Sequence, residues 1–452
     1  MNVRGRNSSE FVMVLFCFLG LTGCIGNITA NSWKTDLSSV TPLPLPAPSL
    51  VITGPAISSG SSATSFVYTV TYTDATTINL TNADIILGGT DFAGCNAVVT
   101  NGTTAVATVT VSGCTGDGTA NISIAANTAQ DADGNQAPAY GPSSNANVKN
   151  SFIVIFNTNN TEGGSSANTV ATFPLVDWIG YDFEISWGDS STQTVNSPSS
   201  AGRVITHTYG APGTYEVKMK GSNLPWLQFC SGTDKLKIVD VKQWGPNAWW
   251  KMEFMFANCK NVQISATDAP VLTSLASGFR GLFQGATNFN SDINHWTTTA
   301  VTDMRDMFAG AAAFNKPLGN WDVSNVTDMS AMFGGAVAFN QNISSWNTSN
   351  VTDMAFMFFE ASAFNSPLAK SGSSWDTSKV VSMAGMFEDA DAFNQDIGNW
   401  VFTGSMTNMD QMFLNADSFN QNLSTWVLPV GVSHNLFDTG AASWVLGKPT
   451  FP

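Results

Sequence analysis

The chain has 452 residues, length for several domains, and 43% of them are apolar, enough for real cores. Only 11% are charged, against roughly 25% in ordinary soluble proteins, and the formal net charge is −15. Lys and Arg do not cluster, which excludes a nucleic-acid partner, because binding phosphates needs grouped cations.

At the N-terminus, Arg4 and Arg6 precede "FVMVLFCFLGL", an apolar run too short to span a bilayer, as in a secretory signal. Leu21-Thr22-Gly23-Cys24 follows. This stretch resembles the lipobox of bacterial lipoproteins. The resemblance implies that residues 1–23 are a signal peptide, that Cys24 is acylated, and that several acyl chains hold the protein on a membrane, since one alone binds only marginally. Ile25 in place of Asp favours the outer membrane in a Gram-negative cell. The expected location is therefore exported, lipid-anchored and at the cell surface. Residues 24–50 contain "TPLPLPAPS" and read as an extended, Pro-rich linker.

Of the six cysteines, Cys17 leaves with the signal and Cys24 takes lipid. The others form two close pairs in sequence, Cys95 with Cys114 and Cys230 with Cys259. Disulfides are the natural reading for an exported chain, and buried free thiols are the alternative. No C-x-x-C occurs, and His207, His295 and His434 lie far apart in sequence, so neither a metal site nor a cofactor is expected.

Residues 51–148 carry short alternating stretches such as "SFVYTVTYT" and "TAVATVTVSG", which predict antiparallel strands. Five to seven of them over this length suggest a β-sandwich. The ending "GTANISIAANTAQDADGNQAPAYGPS" resembles bacterial immunoglobulin-like spacer domains. Asp131, Asp133 and Asn135 there read as a turn, because Gly134 comes fourth where an EF-hand loop needs its glycine sixth.

Residues 149–243 form a second β unit with "FEISWGDSSTQTV" and "HTYGAPGTYEVKMKG". These resemble the polycystic-kidney-disease (PKD) type of sandwich at Trp187, Gly188, Asp189, His207, Tyr209, Gly213 and Tyr215. The chain departs from that family at Ser190, where glycine is usual, which puts the turn after Asp189 in doubt. "GDS" also occurs in serine hydrolases, but the GDSGG surround and the G-x-S-x-G elbow are missing. Asp189 and His207 are expected to brace a turn.

From residue 244 to 452 the chain repeats itself. Trp296, Trp321, Trp346, Trp375, Trp400 and Trp426 are spaced by 25, 25, 29, 25 and 26 residues. Phe283, Phe308, Phe333, Phe358, Phe387 and Phe413 step by the same series, as do the Phe-Asn pairs beginning at Phe289. The four extra residues lie around "LAKSGSS". Met329, Met332, Phe333 and Ala336 fall at i, i+3, i+4 and i+7, which predicts one face of a short helix. Phe339, Ile343 and Trp346 predict a short strand. The tryptophans and phenylalanines are candidate core, and units that cannot bury their own apolar side are expected to stack.

"NWDVSNVTDMSAMFGGAVAFNQNISSW" resembles the Met/Phe-rich repeats of BspA-like leucine-rich-repeat surface proteins. The resemblance covers roughly 250–430, with departures at Ser382 and Asn408, where Asp is usual, and after Trp426. It implies a solenoid on a bacterial surface with a role in adhesion. The expected architecture is multidomain: all-β sandwiches followed by an α/β leucine-rich-repeat-type solenoid.

The repeated Asp303, Asp328 and Asp353 are poor catalytic candidates, because general acid–base chemistry needs two carboxylates in different environments. They are expected to cap helix starts, with calcium between stacked carboxylates as the alternative. The repeated Asn column is expected to bond backbone between units. No catalytic residue is identified and no enzymatic activity is expected. The leading expectation is binding of an extracellular protein or glycan, with Arg305, Lys316 and Gln341 among the contacts. The alternative is a structural, self-associating envelope protein.

Overall fold

The structure, a computed structural model, describes residues 47–57, 65–148, 150–162, 164–175, 181–197, 203–224, 226–229, 232–249, 251–273, 278–368 and 375–452. The signal sequence, Cys17, Cys24, most of the Pro-rich linker and Cys230 lie outside the described residues. Residues 47–452 form one compact unit, distinct from 1–46.

The first sandwich contains β1 (Ser49–Ile57), β2 (Ser65–Thr73), β3 (Thr77–Ile78), β4 (Ile85–Ala93), β5 (Asn96–Thr100), β6 (Val106–Ser112), β7 (Thr115–Ile124), β8 (Ala129–Gln130) and β9 (Ala146–Asn147). One sheet runs β1-β2-β6-β5 and another β4-β7-β9. Strict alternation in β2 sends Phe66, Tyr68, Val70 and Tyr72 inward, against Val109 and Val111 of β6 and Ile122 and Ile124 of β7. These residues make a core of their own. Cys95 and Cys114 form a disulfide beside it.

The second sandwich contains β10 (Phe152–Asn157), β11 (Val170–Leu175), β12 (Tyr181–Ser186), β13 (Thr192–Ser197), β14 (Arg203–Thr208), β15 (Thr214–Asn223) and β16 (Ile238–Gln243). Three two-residue strands follow, β17 (Ala248–Trp249), β18 (Gln263–Ile264) and β19 (Val271–Leu272). The large sheet runs β13-β12-β15-β10-β16-β18, and β18 joins parallel to β16. The sandwich sheet therefore continues into the repeat region, and one apolar core runs unbroken from Phe152 to Trp444. The core does not divide at residue 244.

The first sandwich is fixed to this body through Asp117. Its carboxylate accepts the N–H groups of Asn150 and Ser151, the Ser151 hydroxyl and the Gln243 amide. Burial alone would raise its pKa, but these bonds hold it below the ordinary carboxylate value. A second polar anchor sits inside the body, where the fully buried Lys237 ammonium meets Asp234 at 3.0 Å and three backbone carbonyls. Burying a charge is tolerable only with such complete pairing.

The expected α/β leucine-rich-repeat-type solenoid is not what the repeat region forms. Among the described residues no α-helix occurs, and those between 278 and 452 form no strands, only turns and single-residue parallel bridges. The physical reason lies in two backbone positions. Ala331 (φ 52°) and Gly335 (φ 69°) are left-handed, and their counterparts Asp306 and Gly310, Phe356 and Glu360, Gln411 and Asn415 repeat that conformation. A left-handed residue every fourth position stops a helix before it completes a turn. Each segment becomes two successive tight turns, with Met332 N–H donating to the Met329 carbonyl and Ala336 N–H to that of Phe333. Two such turns reproduce the i, i+3, i+4, i+7 apolar spacing that reads as a helix.

The turns free alternate amides for the neighbouring repeat. Met329, Ala331, Phe333 and Gly335 donate to the carbonyls of Asp353, Ala355, Met357 and Phe359. In the opposite sense Thr352 N–H donates to Thr327, which completes a bridge between Asp328 and Asp353. Bridges of this kind run from Gly278 through Asp303, Asp328, Asp353, Ser382 and Asn408 to Ser433. Inside, two ring columns stack nearly parallel. Phe308, Phe333 and Phe358 are 5.6 and 5.7 Å apart, and Phe314, Phe339 and Phe364 are 6.0 and 5.9 Å apart. Trp296, Trp321, Trp346, Trp375, Trp400 and Trp426 are buried beside them, as are Phe387 and Phe413.

Candidate functional site

The Asp189 turn is closed by its own neighbours. Asp189 accepts the N–H and hydroxyl of Ser191 and, at 2.8 Å, His207 Nε2. His207 stacks on Trp187 with its ring at 4.7 Å, and the Tyr209 hydroxyl donates to the Trp187 carbonyl. Burial alone would raise the Asp189 carboxyl, but the Ser191 and His207 bonds bring it down to about 2. The Ser191 hydroxyl also lies 3.5 Å from His207 Nε2, but that same nitrogen is taken by the Asp189 carboxylate, whereas a nucleophilic triad meets the carboxylate with one ring nitrogen and the hydroxyl with the other. Ser190 takes a left-handed conformation at φ 72°, which is the reason glycine suits this position.

The other candidate residues also resolve into structure. Asp131 accepts the N–H groups of Asp133 and Asn135 in a closed turn. Cys259 is buried in the shared core. Among the described residues no group of three or more His, Cys, Asp or Glu side chains is placed to hold a metal ion. Asp303, Asp328 and Asp353 cap turns, not helices, by accepting the N–H two residues ahead. The Asn column runs repeat to repeat, with the N–H groups of Asn315, Asn340, Asn365, Asn394 and Asn420 donating to the side-chain oxygens of Asn290, Asn315, Asn340, Asn365 and Asn394. Gln341 belongs to this ladder, donating to the Asn315 carbonyl and Oδ1, and is not a free contact residue. Lys316 is half-buried and Arg305 is exposed beside Asp306.

What sequence reasoning missed is the face made by the two left-handed turns. Its side chains change from repeat to repeat while the backbone does not. At the first left-handed position stand Phe254, Gly281, Asp306, Ala331, Phe356, Gly385, Gln411 and Leu436. At the second stand Asn258, Gly285, Gly310, Gly335, Glu360, Asp389, Asn415 and Gly440. Glycines recurring at fixed offsets were the available signal, obscured because phenylalanine and glutamate fill equivalent positions.

Charge on this face is uneven. Towards the sandwich, Arg280 and Arg305 lie among Asp303 and Asp306, and Arg305 reaches Asp306 at 3.5 Å. Burial still raises both carboxyls above their ordinary value, and the Asp328 charge adds to it. Further along, burial raises Glu388, with Asp389 and Glu360 adding to the shift. No described cation forms an ion pair with these three.

Two overlapping stretches of the repeat region, 277–372 and 345–442, match the model of a family described as "Mycoplasma protein of unknown function, DUF285". No curated protein and no solved structure matches the chain. The likeness covers the repeats and not the sandwiches, so the turn-built repeat is the part of this chain that is similar to that family.

Proposed function

We propose that this is an exported surface protein, lipid-anchored through Cys24, whose sandwiches carry a non-enzymatic repeat region that binds extracellular protein or glycan. The observation that supports binding is the division of labour within each repeat. Alternate backbone amides, the Asn column and both ring columns all serve contact between repeats, whereas the side chains of the left-handed turns differ from one repeat to the next. Variable side chains on a fixed backbone are what a recognition surface requires.

The test is the purified protein on an array of glycans and matrix proteins. Binding to at least one ligand is expected, and multiple substitution of the turn face should abolish it with unfolding unchanged. Absence of any ligand, together with concentration-dependent self-association, would sink this reading in favour of a structural protein. For the anchor, Cys24→Ser is expected to abolish fatty-acid labelling and to release the protein from the membrane fraction.

A further inference from the structure

Two aromatic rings on the turn face sit in the same way, and only one of them carries a cation. Phe254 lies across Gly281 of the next repeat, so closely that a Cβ there would fall 2.2 Å from the ring's Cε1. The Arg280 guanidinium stands over that ring at 5.6 Å. Phe356 occupies the same position further along and lies across Gly385, where a Cβ would fall 2.3 Å from Cε1. The residue equivalent to Arg280 is Ala384, whose methyl cannot reach over the ring, and Phe356 is 39% exposed.

The surrounding residues change sign in step. Around Phe254 the equivalent positions hold Asn258, Gln284 and Gly285, all neutral. Around Phe356 they hold Glu360, Glu388 and Asp389. Glu388 Oε2 would lie 2.9 Å from the same added Cβ on Gly385 that the Phe356 ring approaches, so ring and carboxylate converge on one spot. Where the chain supplies its own arginine these three positions are neutral, and the carboxylates facing Arg280 are Asp303 and Asp306; where it does not, all three positions are acidic.

We propose that the Phe356 face receives an arginine side chain from a basic segment of a partner protein, laid on the ring as Arg280 lies on Phe254, with Glu360 and Glu388 accepting its N–H groups. Guanidinium fits better than ammonium because it is planar, stacks on rings, and offers paired donors to carboxylates. The net charge of −15 favours such a partner at long range. This rests on the reading of the repeat region as a binding module and names the partner's chemistry.

The full chain would be titrated with a fluorescent peptide of alternating Gly and Arg, beside citrulline and lysine versions, at physiological ionic strength. The arginine peptide is expected to bind, the lysine peptide more weakly, and the uncharged citrulline peptide not at all. Phe356→Ala should weaken binding roughly 3- to 10-fold. Glu360→Gln with Glu388→Gln should weaken it further and flatten its salt dependence. Ala384→Arg, which rebuilds the Phe254 arrangement within the chain, should block the peptide while leaving unfolding unchanged. Asp391→Asn with Asp417→Asn removes the same charge from other exposed positions and should have little effect. Equal binding by Phe356→Ala, or equal loss in the Asp391/Asp417 variant, would overturn the inference. If Phe356→Ala abolishes nothing while array ligands still bind, only the arginine proposal fails; if no ligand of any kind binds, the binding-module reading fails with it.

Discussion

Asp131 in the first sandwich and Asp353 in the repeat region perform the same local task. Each carboxylate accepts the N–H two residues ahead and closes a tight turn. Their pKa values move in opposite directions. Asp131 is held below the ordinary value by the Asn135 amide and by backbone N–H groups. Asp353 is raised by burial, against the pull of the Ala355 N–H, and the charge of Asp328 one repeat away adds to it. The sandwich uses its turn once, whereas the repeat region stacks copies of one turn in register. Repetition multiplies apolar contacts, which attract, and multiplies carboxylates, which repel.

The apolar half of that comparison gives the largest expected effect. Phe333 touches Phe308, Phe339, Trp346 and Phe358. Phe333→Ala should destabilise the body from 150 to 452 by about 3–5 kcal/mol. The first sandwich has a separate core. In denaturant unfolding followed by tryptophan fluorescence and by backbone circular dichroism, the transition of the repeat body should move while that of the first sandwich stays. A common shift of both would show that Asp117 couples the two cores into one cooperative unit.

The polar ladder comes next. Asn340 Oδ1 accepts the Asn365 N–H at 2.9 Å and the Ser366 hydroxyl at 3.0 Å. Asn340→Ala leaves both without that acceptor and should lower stability by about 1–2 kcal/mol. A neutral result in urea unfolding would mean that water replaces the side chain at no loss.

How much of this was legible in the sequence follows from what each signal encodes. Spacing located the repeats and their core, because Trp, Phe and Met recurring in one series must share one environment. The alternating strands of β2 and β6 were legible for the same reason. Spacing did not distinguish a helix from paired turns, since both place residues i, i+3, i+4 and i+7 on one side. The decisive variable is the sign of φ at Ala331, Phe356 or Glu360, and alanine, phenylalanine and glutamate do not announce a left-handed backbone. The platform at Phe356 stayed hidden for a related reason: it exists only because Gly385, distant in sequence, leaves room beneath the ring.

The departure at Ser190 was legible, and its energetic consequence can be measured. At φ 72° a residue with a Cβ is strained by roughly 1 kcal/mol, part of which glycine loses again through the freedom it gains in the unfolded chain. Ser190→Gly should therefore raise stability by roughly 0.5 kcal/mol. A loss of stability would show that the serine side chain contributes to the turn.

An effect of the same small size tests the electrostatic half of the comparison. Asp303 and Asp353 are each raised by burial and, further, by the charge of Asp328 between them. A carboxyl raised in the folded state stabilises the fold at pH below its unfolded value, and that contribution is lost as pH rises through the folded value. Asp131, which is lowered, behaves in the opposite way and stabilises above the ordinary carboxylate range. The raised carboxyls thus take stability from the repeat body between acidic and neutral pH, Asp131 adds to that of the first sandwich, and the lowered Asp189, Asp322 and Asp410 act in the body as Asp131 does in the sandwich. Asp328→Asn keeps an oxygen for the Ser330 N–H, as Asn408 does for Asp410 in its own repeat. It should raise the stability of the repeat body at neutral pH by roughly 0.5 kcal/mol, the scale of a like-charge pair facing across neighbouring strands. At pH 3 Asp303 and Asp353, both raised, are largely protonated, so the gain should vanish. Ser382 and Asn408 break the Asp column further along. A gain that persists at pH 3 would point to Asn as the better hydrogen-bonding residue and away from like charge as the reason the column changes.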